Sequence, residues 1–346
     1  MVKVCLFIAI RALPELSFVQ RKIFIAYACS LEYKVAMPHS PASPALPPFD
    51  YSRLFMQPLS RILILHKENS LPQQTGKRLL SWLHERGKEG VLLSSDADEI
   101  SIRAEAAASD AVLILGGDGT MIGTARRLAG IRTPIAGMNF GRVGFLTELP
   151  STGWEQPLTD MLNGLWEREH HLTLHWRILK PTDKGMEIRR EGVAINDVVT
   201  AHGVVARAVS LNLHIDGILF STLRCDGVIV STPLGSTAYT ASAGGPLTMP
   251  SMNAQLVTPI CPFAGGFPPI ALPASSHIRL EACRRGDQVL ISVDGQENLP
   301  LAFGDVLEIQ GGADQLPMLV SSKNWYLKRL IDRGIVTSGP GRKEQK

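Results

Sequence analysis

The chain lacks the features that mark several classes of protein. Among its 346 residues, 35 Lys and Arg stand against 32 Asp and Glu, so the net charge is only +3. This balance argues against the clustered basic surface that binds nucleic acid or an anionic membrane. Within residues 1–59, no stretch reaches the length of a membrane span without a charged residue. We therefore expect neither a nucleic-acid partner nor a membrane-bound protein.

Cysteine is also scarce and carries no pattern. The five cysteines form no CxxC pair and no metal-binding spacing with histidine. An odd number of scattered cysteines is typical of reduced thiols in a cytoplasmic protein. The sequence therefore predicts a cytoplasmic location and assigns no residue as a metal ligand.

Both ends of the chain differ in composition from the part between them. Residues 1–59 contain a short apolar run interrupted by charged residues, followed by a proline-rich segment at 37–48. This composition predicts an extension that is disordered or does not belong to the native protein. Residues 336–346 are predicted to form a disordered tail.

Predicted strands and helices alternate between residues 60 and 150. Apolar runs predict the strands, and amphipathic stretches between them predict the helices. The predicted strands cover residues 61–66, 90–94, 111–115 and 135–138, and the first predicted helix covers residues 75–87. This alternation predicts an α/β fold with a Rossmann-like open parallel sheet and helices on both faces. We expect residues 314–335 to complete that domain.

Residues 151–313 are predicted to form a second, all-β domain. From about residue 171 to 310, short β-rich runs are separated by Gly, Asn, Asp and Pro. Helical periodicity is almost absent there, and this spacing of strands and turns is typical of an all-β domain.

The most informative stretch is the glycine-rich turn at 116–120, Gly-Gly-Asp-Gly-Thr, between a predicted buried strand and an amphipathic helix. Backbone amides at such a helix N-terminus bind phosphate. The glycine spacing is one residue too long for the Rossmann dinucleotide fingerprint, and no Lys-Ser or Lys-Thr completes a P-loop. Asp118 would repel a phosphate unless it transfers a proton or binds a metal ion. The alternative is that Asp118 caps the helix.

Three polar stretches interrupt the predicted β-domain. Asn196 and Asp197 follow an apolar strand start, where a turn is the simpler interpretation. Residues 226–246 carry no charge after Asp226 and are rich in small residues and hydroxyl groups. This composition suits a loop that contacts a flat polar ligand such as a nucleoside. Residues 294–296, Asp-Gly-Gln, predict a hairpin turn.

Taken together, these motifs resemble the NAD kinase family. The Gly-Gly-Asp-Gly-Thr turn alone also occurs in lipid kinases and 6-phosphofructokinases, but the later motifs follow it in this order in NAD kinases. The motifs are GGDGT at 116–120, NxGxxGFL at 139–146, Asn-Asp at 196–197, DGxIxSTPxGSTAYxxSAGGP at 226–246, TPICP at 258–262 and DGQ at 294–296. The resemblance covers residues 60–335.

The resemblance implies transfer of a phosphoryl group from ATP, or from polyphosphate, to the 2′-hydroxyl of the adenosine ribose of NAD, giving NADP. It implies Mg²⁺ or another divalent cation and a homodimer or homotetramer. The α/β domain would bind ATP and the β-rich domain NAD. By the same resemblance Asp118 is the catalytic residue. This role agrees with its chemistry, because a carboxylate can take the proton of a sugar hydroxyl.

The remaining site residues are assigned by the same resemblance. The implied phosphate loop consists of Gly116, Gly117, Gly119 and Thr120. The residues implied to bind the dinucleotide are Asp118, Gly119, Asn196, Asp197, Arg207, Arg224, Asp226, Thr237, Ala238, Tyr239, Thr240, Ala241, Ser242 and Gln296. Among them, Asn196 and Asp197 would hold a ribose, Asp226 would lie at the nicotinamide end, and Tyr239 would pack on a ring.

Two other functions fit part of the sequence. A lipid kinase with the same turn would need an acyl-chain cleft and membrane affinity, and the polar stretch at 226–246 and the slight net charge argue against both. A dinucleotide-binding sensor would bind NAD without forming NADP. The presence of Asp118, Asn196 and Asp226 argues against a sensor.

Overall fold

Three β-sheets organise the described part of the chain in the computed structural model. The described residues are 57–68, 70–141, 144–203 and 207–336. The predicted extension lies outside these ranges except for residues 57–59, and the predicted tail lies outside them except for residue 336, so both remain predictions. No helix within the described ranges is long and apolar enough to cross a membrane.

The strands and helices are numbered in chain order. The strands are β1 (Arg61–His66), β2 (Glu89–Ser94), β3 (Ala111–Gly116), β4 (Ile135–Asn139), β5 (Leu149–Pro150), β6 (Glu167–His171), β7 (Leu174–Thr182), β8 (Gly185–Ala194), β9 (Asp197–His202), β10 (Val209–Ile215), β11 (Ile218–Cys225), β12 (Gly227–Ser231), β13 (Ala254–Ile260), β14 (Ile270–Pro273), β15 (Ile278–Ala282), β16 (Val289–Val293), β17 (Glu297–Leu301), β18 (Val306–Gly311) and β19 (Leu316–Val320). The helices are α1 (Ser70–His84), α2 (Glu99–Ala107), α3 (Asp118–Arg127), α4 (Glu155–Leu162), α5 (Tyr239–Ser242) and α6 (Trp325–Asp332), with a short 3-10 helix at Leu234–Thr237.

Sheet A is the predicted open parallel sheet. Its strand order is β2-β1-β3-β4-β19-β6, with β5 paired to β4, and only β19 and β6 pair antiparallel. Because successive side chains of a strand point to opposite faces, Leu63 and Leu65 pack with α2, α3 and α6, whereas Ile62 and Ile64 pack with α1 and α4. Burial on both faces explains the continuous apolar runs in these strands. The predicted helices on both faces are confirmed.

The chain contributes to sheet A and its helices beyond the predicted 60–150 segment. The backbone amide of Leu59, a buried residue, donates to the carbonyl of Leu162 at 2.8 Å. Helix α4 packs on the same core, and β6 pairs with β19 at the sheet edge. Sheet A and its helices therefore extend past the predicted domain boundary at 150/151. Strand β6 follows this boundary, and it joins sheet A by pairing with β19, which is far away in sequence. The predicted return at 314–335 supplies β19 and α6.

Sheets B and C form the predicted all-β region. Their strand orders are β11-β10-β15-β18-β7-β8 and β14-β13-β12-β9-β16-β17, and every pairing is antiparallel. Trp176, Leu211 and Leu307 of sheet B share one buried cluster with Val228 and Ile291 of sheet C. The two sheets thus pack face to face as a sandwich, and the all-β prediction is confirmed.

Candidate active site

The glycine-rich turn joins the carboxyl end of β3 to the start of α3. A Cβ atom at Gly116 would lie 2.5 Å from the Cβ atom of Thr120, so only glycine fits there. Gly117 occupies the N-cap position of α3 and has no side chain with which to accept from the first helical amides. Those amides are therefore left for another acceptor, as a phosphate site at a helix N-terminus requires.

Asp118 does not cap α3, so the alternative that this residue is a helix cap is wrong. It is the first residue of the helix, and its carboxylate accepts hydrogen bonds from the backbone amides of Phe145 (2.8 Å) and Leu146 (3.0 Å). Burial raises the pKa of the Asp118 carboxyl, while the two amides and the charges of Arg333 and Arg329 oppose that rise. Each oxygen keeps a further lone pair, with which the carboxylate can accept a proton.

A second group of acidic residues adjoins Asn196. Asp294, in the turn between β16 and β17, accepts hydrogen bonds from the backbone amides of Ile195, Asn196 (2.7 Å) and Asp197. Burial, together with the charge of Asp294, raises the pKa of Asp197 to about 7. The side-chain oxygen of Asn196 is buried and has no hydrogen-bond partner within the described ranges. Buried polar atoms normally have partners, so this oxygen is a candidate contact for a ligand.

The β16–β17 hairpin also contacts the glycine-rich turn. The amide nitrogen Nε2 of Gln296 donates to the carbonyl oxygen of Gly119 at 2.7 Å. Arg126 on α3 forms an ion pair with Glu297, with 2.6 Å between Nη2 and Oε2, and its Nε atom lies 3.7 Å from Oδ2 of Asp294. One hairpin of the sandwich thus contacts both the Asn-Asp motif and the glycine-rich turn.

The stretch that follows β12 folds into the 3-10 helix and α5. Tyr239 is 46% exposed, so its side chain is available to a ligand. Thr240 is buried and its hydroxyl donates to the Ser231 hydroxyl at 2.8 Å, so this side chain stabilises the segment from inside. The partly or fully exposed residues beside them are Thr237, Ala238, Ala241 and Ser242.

The start of this segment packs against the Asn-Asp motif. The Thr232 hydroxyl donates to the carbonyl of Ile195 at 2.7 Å, and the Thr232 amide donates to the carbonyl of Asn196 at 2.8 Å. A Cβ atom at Gly235 would lie 2.2 Å from the Asn196 carbonyl oxygen, so the close approach requires glycine. The sequence motifs at 196–197 and 226–246 are therefore neighbours in space.

Three charged candidates lie apart from this cluster. Asp226 is exposed between β11 and β12, and Arg224 is exposed near the end of β11, with its guanidinium carbon 5.9 Å from the ring centre of Phe263. Arg207 is exposed in the loop before β10, next to residues outside the described ranges. Among the described residues, no hydrogen bond or ion pair links these three side chains to the glycine-rich turn or the Asn-Asp motif.

A cavity of about 1220 Å³ opens at the carboxyl ends of the parallel strands. Residues at the ends of β1 to β4 form one wall, and β7, β8 and the β16–β17 hairpin form the other. The lining residues with positive charge are Lys67, Arg126, Arg127 and Arg190. Ligands of open α/β sheets bind at this edge. Pockets for small molecules measure about 300–1,000 Å³, so this cavity has room for a nucleotide.

Several of these features have little or no signal in the sequence. The Asp-Gly pair predicts a turn at Asp294, although such a pair at a hairpin does place a carboxylate where it could meet neighbouring amides. The amides of Phe145 and Leu146 carry no side-chain signal. Lys67 and Arg190 come from distant parts of the chain and only meet at the cavity in the fold.

Comparisons with known proteins agree with this architecture. The family model of the ATP-NAD kinase N-terminal domain matches residues 62–166, and that of the C-terminal domain matches residues 195–320. The NAD kinase of Nitratidesulfovibrio vulgaris strain DP4 is 39% identical over 286 residues, which cover 81% of this chain and 93% of that protein.

Two solved structures share the fold. Yeast NADH kinase complexed with NADH aligns with a TM-score of 0.72 at 23% identity, covering 83% of this chain and 90% of that one. An NAD kinase from Archaeoglobus fulgidus in complex with ATP aligns with a TM-score of 0.63 at 25% identity, covering 78% of this chain and 96% of that one.

The parallel sheet, the glycine-rich turn and the cleft beside the β-sandwich define a nucleotide-dependent phosphotransferase. The chain belongs to the NAD kinase family. Its activity is the phosphorylation of NAD to NADP, and the family resemblance seen in the motifs is confirmed. The lipid-kinase and sensor alternatives are set aside on the same finding.

Proposed function

We propose that Asp118 is the general base of the NAD kinase reaction. Asp118 takes the proton of the 2′-hydroxyl on the adenosine ribose of NAD, and that oxygen attacks the terminal phosphorus of ATP. The bond between this phosphorus and the bridging oxygen of ADP breaks, and NADP and ADP leave. The observation that carries the proposal is the Asp118 carboxylate, held by two backbone amides at the start of a helix.

The donor phosphates are proposed to bind at the glycine-rich turn. Gly116, Gly117 and Gly119 leave the backbone amides accessible, and the Thr120 hydroxyl adds a donor. The positive side chains of the cavity wall support this proposal, since they would neutralise the charge on a phosphate chain. ATP is the proposed donor, and polyphosphate is the alternative because it presents the same chain of phosphates.

The acceptor is proposed to lie against the sandwich side of the cleft. The unpartnered Asn196 oxygen and the Asp197 carboxyl are proposed to bind its ribose, and the exposed Tyr239 ring to pack on a base. Asp226 is proposed to contact the nicotinamide end. The remaining proposed contacts of NAD are Arg207, Arg224, Thr237, Ala238, Thr240, Ala241, Ser242 and Gln296.

A divalent cation, Mg²⁺ in the first instance, is proposed to accompany the donor. The described residues contain no cluster of three or more His, Cys, Asp or Glu that could hold a metal ion. Mg²⁺ at phosphoryl-transfer sites is held by one or two carboxylates, waters and substrate phosphates, and the cavity-wall residue Asp96 can supply such a carboxylate. When bound, the cation would neutralise charge on the transferred phosphoryl group.

We also propose a cytoplasmic homodimer or homotetramer. The free thiols of Cys225, Cys261 and Cys283 support a reducing compartment. The exposed apolar residues Ile218 and Leu219 on the edge strand β11 support self-association. A sedimentation experiment at assay concentration that found only monomer would contradict the oligomer.

The first test compares Asp118→Asn with the unchanged protein. We expect formation of NADP from NAD, ATP and Mg²⁺ to fall by at least about a hundredfold, because a positioned general base contributes about 10²–10⁴ in rate. NADP is measured with an NADP-specific dehydrogenase, and polyphosphate replaces ATP in a parallel series. If the unchanged protein forms NADP with polyphosphate but not with ATP, the proposal that ATP is the donor is wrong.

Asp110→Asn is the matched control. The Asp110 carboxylate also accepts two backbone amides, those of Ser60 (2.6 Å) and Arg61 (2.8 Å), but it lies at the opposite end of β3 from the cleft. We expect this variant to lose stability without losing kcat. A similar loss of kcat in both variants would show that Asp118 acts only through the fold.

A further inference from the structure

The C-terminal helix α6 packs beside the loop that holds Asp118. Its residues Trp325, Tyr326 and Leu330 are buried in the same core as β1 and α3. Helix α6 therefore sits on sheet A although it follows Asp118 by about two hundred residues along the chain. Arg329 lies in its last turn, and Arg333, four residues later, is its C-cap residue on the same side.

Both arginines donate to the loop between β4 and β5. Nη2 of Arg329 donates to the carbonyl oxygen of Thr147 at 2.8 Å, and Nη2 of Arg333 donates to the carbonyl oxygen of Gly144 at 3.3 Å. These two carbonyls flank Phe145 and Leu146, whose amides hold the Asp118 carboxylate. The arginines thus hold the loop at both ends of the segment that positions the proposed base.

The same arginines are the source of positive charge next to Asp118. Burial raises the pKa of the Asp118 carboxyl and favours its protonated form. The charges of Arg333 and Arg329 lower this pKa and favour the ionised form. Glu148 is the acidic group on the same loop, and its carboxylate accepts from the Ser321 amide at 3.0 Å. Burial raises the pKa of Glu148, and the charge of Arg329 opposes that rise as it does for Asp118.

We propose that Arg329 and Arg333 are positioning residues for phosphoryl transfer, acting on Asp118 through the loop at 144–147. They hold the loop amides in place and keep the carboxylate ionised, so that it can accept the proton of the ribose hydroxyl. This inference rests on the proposed role of Asp118 as the base. It adds a function for the C-terminal helix, which carries none of the sequence motifs.

The test follows kcat from pH 5.5 to pH 9 in Arg329→Gln and Arg333→Gln. Loss of a positive charge makes the base harder to ionise, so the acid limb of the profile moves to higher pH. A displacement of one pH unit lowers the rate about tenfold at the acidic end, and much less at pH 9, where the base is ionised in all variants. We expect the KM values for NAD and ATP to change by less than about twofold.

Two further sets of variants separate charge from position. Arg329→Lys and Arg333→Lys keep the charge, and we expect their acid limb to stay within a few tenths of a pH unit of the unchanged protein. Lys328→Gln removes a positive charge from an exposed position on the same helix and should leave the profile unchanged. If Lys328→Gln moves the limb as far as the arginine variants do, the effect is a general one of net charge and the proposal is wrong.

The remaining outcomes are equally decisive. Folded Arg→Gln variants with an unmoved acid limb would overturn the proposal. Should a glutamine variant fail to fold, the lysine variants still decide, since a limb that moves with the charge retained contradicts it. Asp118→Asn run alongside distinguishes the two inferences. Full activity in that variant removes the proposed base, whereas an inactive Asp118→Asn with unmoved limbs in the arginine variants removes only the role of α6.

Discussion

At the scale of single residues, three buried carboxyl groups of the candidate site have raised pKa values. Asp118, Asp197 and Asp294 are all affected in this direction, with burial as the main cause. Backbone amides offset the cost for Asp118 and Asp294, but Asp197 instead faces the like charge of Asp294. A catalytic or binding site is where such perturbed groups are expected to cluster.

Asp197 should make the stability of the ligand-free protein depend on pH. Its pKa of about 7 in the fold lies above the value of about 4 expected in the unfolded chain. The folded state therefore binds more protons between these values, and the stability present at low pH is lost as the pH rises through about 7. In Asp197→Asn we expect the fall in unfolding free energy between pH 5 and pH 8 to shrink by on the order of 2 kcal/mol.

Urea unfolding at both pH values measures this difference. Asp183→Asn, in the exposed turn between β7 and β8, serves as the control and should follow the unchanged protein. Parallel profiles for Asp197→Asn and the unchanged protein would contradict the assignment.

At the scale of elements, the turn of the β16–β17 hairpin positions part of the candidate site. Asp294 and Gly295 have φ values of 53° and 64°, as a tight hairpin turn requires, and an Asp-Gly pair adopts them readily. The predicted hairpin turn at 294–296 is confirmed. In this conformation the Asp294 carboxylate accepts three amides around Asn196, so a local turn preference determines where the Asn-Asp motif lies.

Asp294→Ala should therefore disturb both stability and substrate binding. Three backbone amides would lose their acceptor, and each unsatisfied buried group costs about 1–3 kcal/mol. We expect the free energy of unfolding to fall by at least about 3 kcal/mol and the KM for NAD to rise. Asp294→Asn keeps one acceptor oxygen, so its free energy of unfolding and its KM for NAD should lie between those of Asp294→Ala and the unchanged protein.

A second Asp-Gly hairpin turn supplies the control. Asp216 and Gly217 have φ values of 49° and 82°, and the Asp216 carboxylate accepts a single amide, that of His277 at 2.8 Å. Asp216→Ala introduces the same backbone strain with one lost acceptor, so it should cost less stability and leave the KM for NAD unchanged. An equal rise of KM in both variants would rule out a specific role of Asp294.

At the scale of the whole molecule, the cleft depends on contacts between sheet A and the sandwich. Arg126 on α3 pairs with Glu297 on β17, and Gln296 reaches the Gly119 carbonyl across the same boundary. Since both partners of the ion pair are partly exposed, its contribution is modest. Both Arg126 and Glu297 line the cavity. We therefore expect this ion pair to affect the shape of the cleft more than the stability of the fold.

A double-mutant cycle on Arg126→Gln and Glu297→Gln tests this. We expect a coupling free energy of about 0.5–1 kcal/mol in urea unfolding, together with a coupling of similar size in kcat/KM. The control cycle uses Arg177 and Glu308, which pair across neighbouring strands of sheet B at 3.0 Å. That pair should couple in stability alone. Additive effects of Arg126→Gln and Glu297→Gln on kcat/KM would show that the contact does not shape the cleft.

Much of the fold follows from local patterns in the chain. The apolar run at 111–115 predicts a strand buried on both faces, and β3 is buried at every position. The short runs of the second half alternate and form antiparallel strands, as their turns predict. Element ends are less predictable. Helix α1 begins at Ser70, five residues before the amphipathic pattern at 75–87 suggests, because tertiary packing stabilises turns with weak intrinsic preference.

By itself the sequence determined the family, the α/β and all-β parts and the motifs that carry the chemistry, since these depend on residue type and short spacing. Tertiary structure alone decided which distant groups meet. It placed the Phe145 and Leu146 amides on Asp118, Asp294 beneath the Asn-Asp motif, and Arg329 and Arg333 on the loop behind the base. The physical reason is that these contacts join backbone groups and side chains from different elements, and their distances are set by sheet order and helix packing rather than by any local pattern.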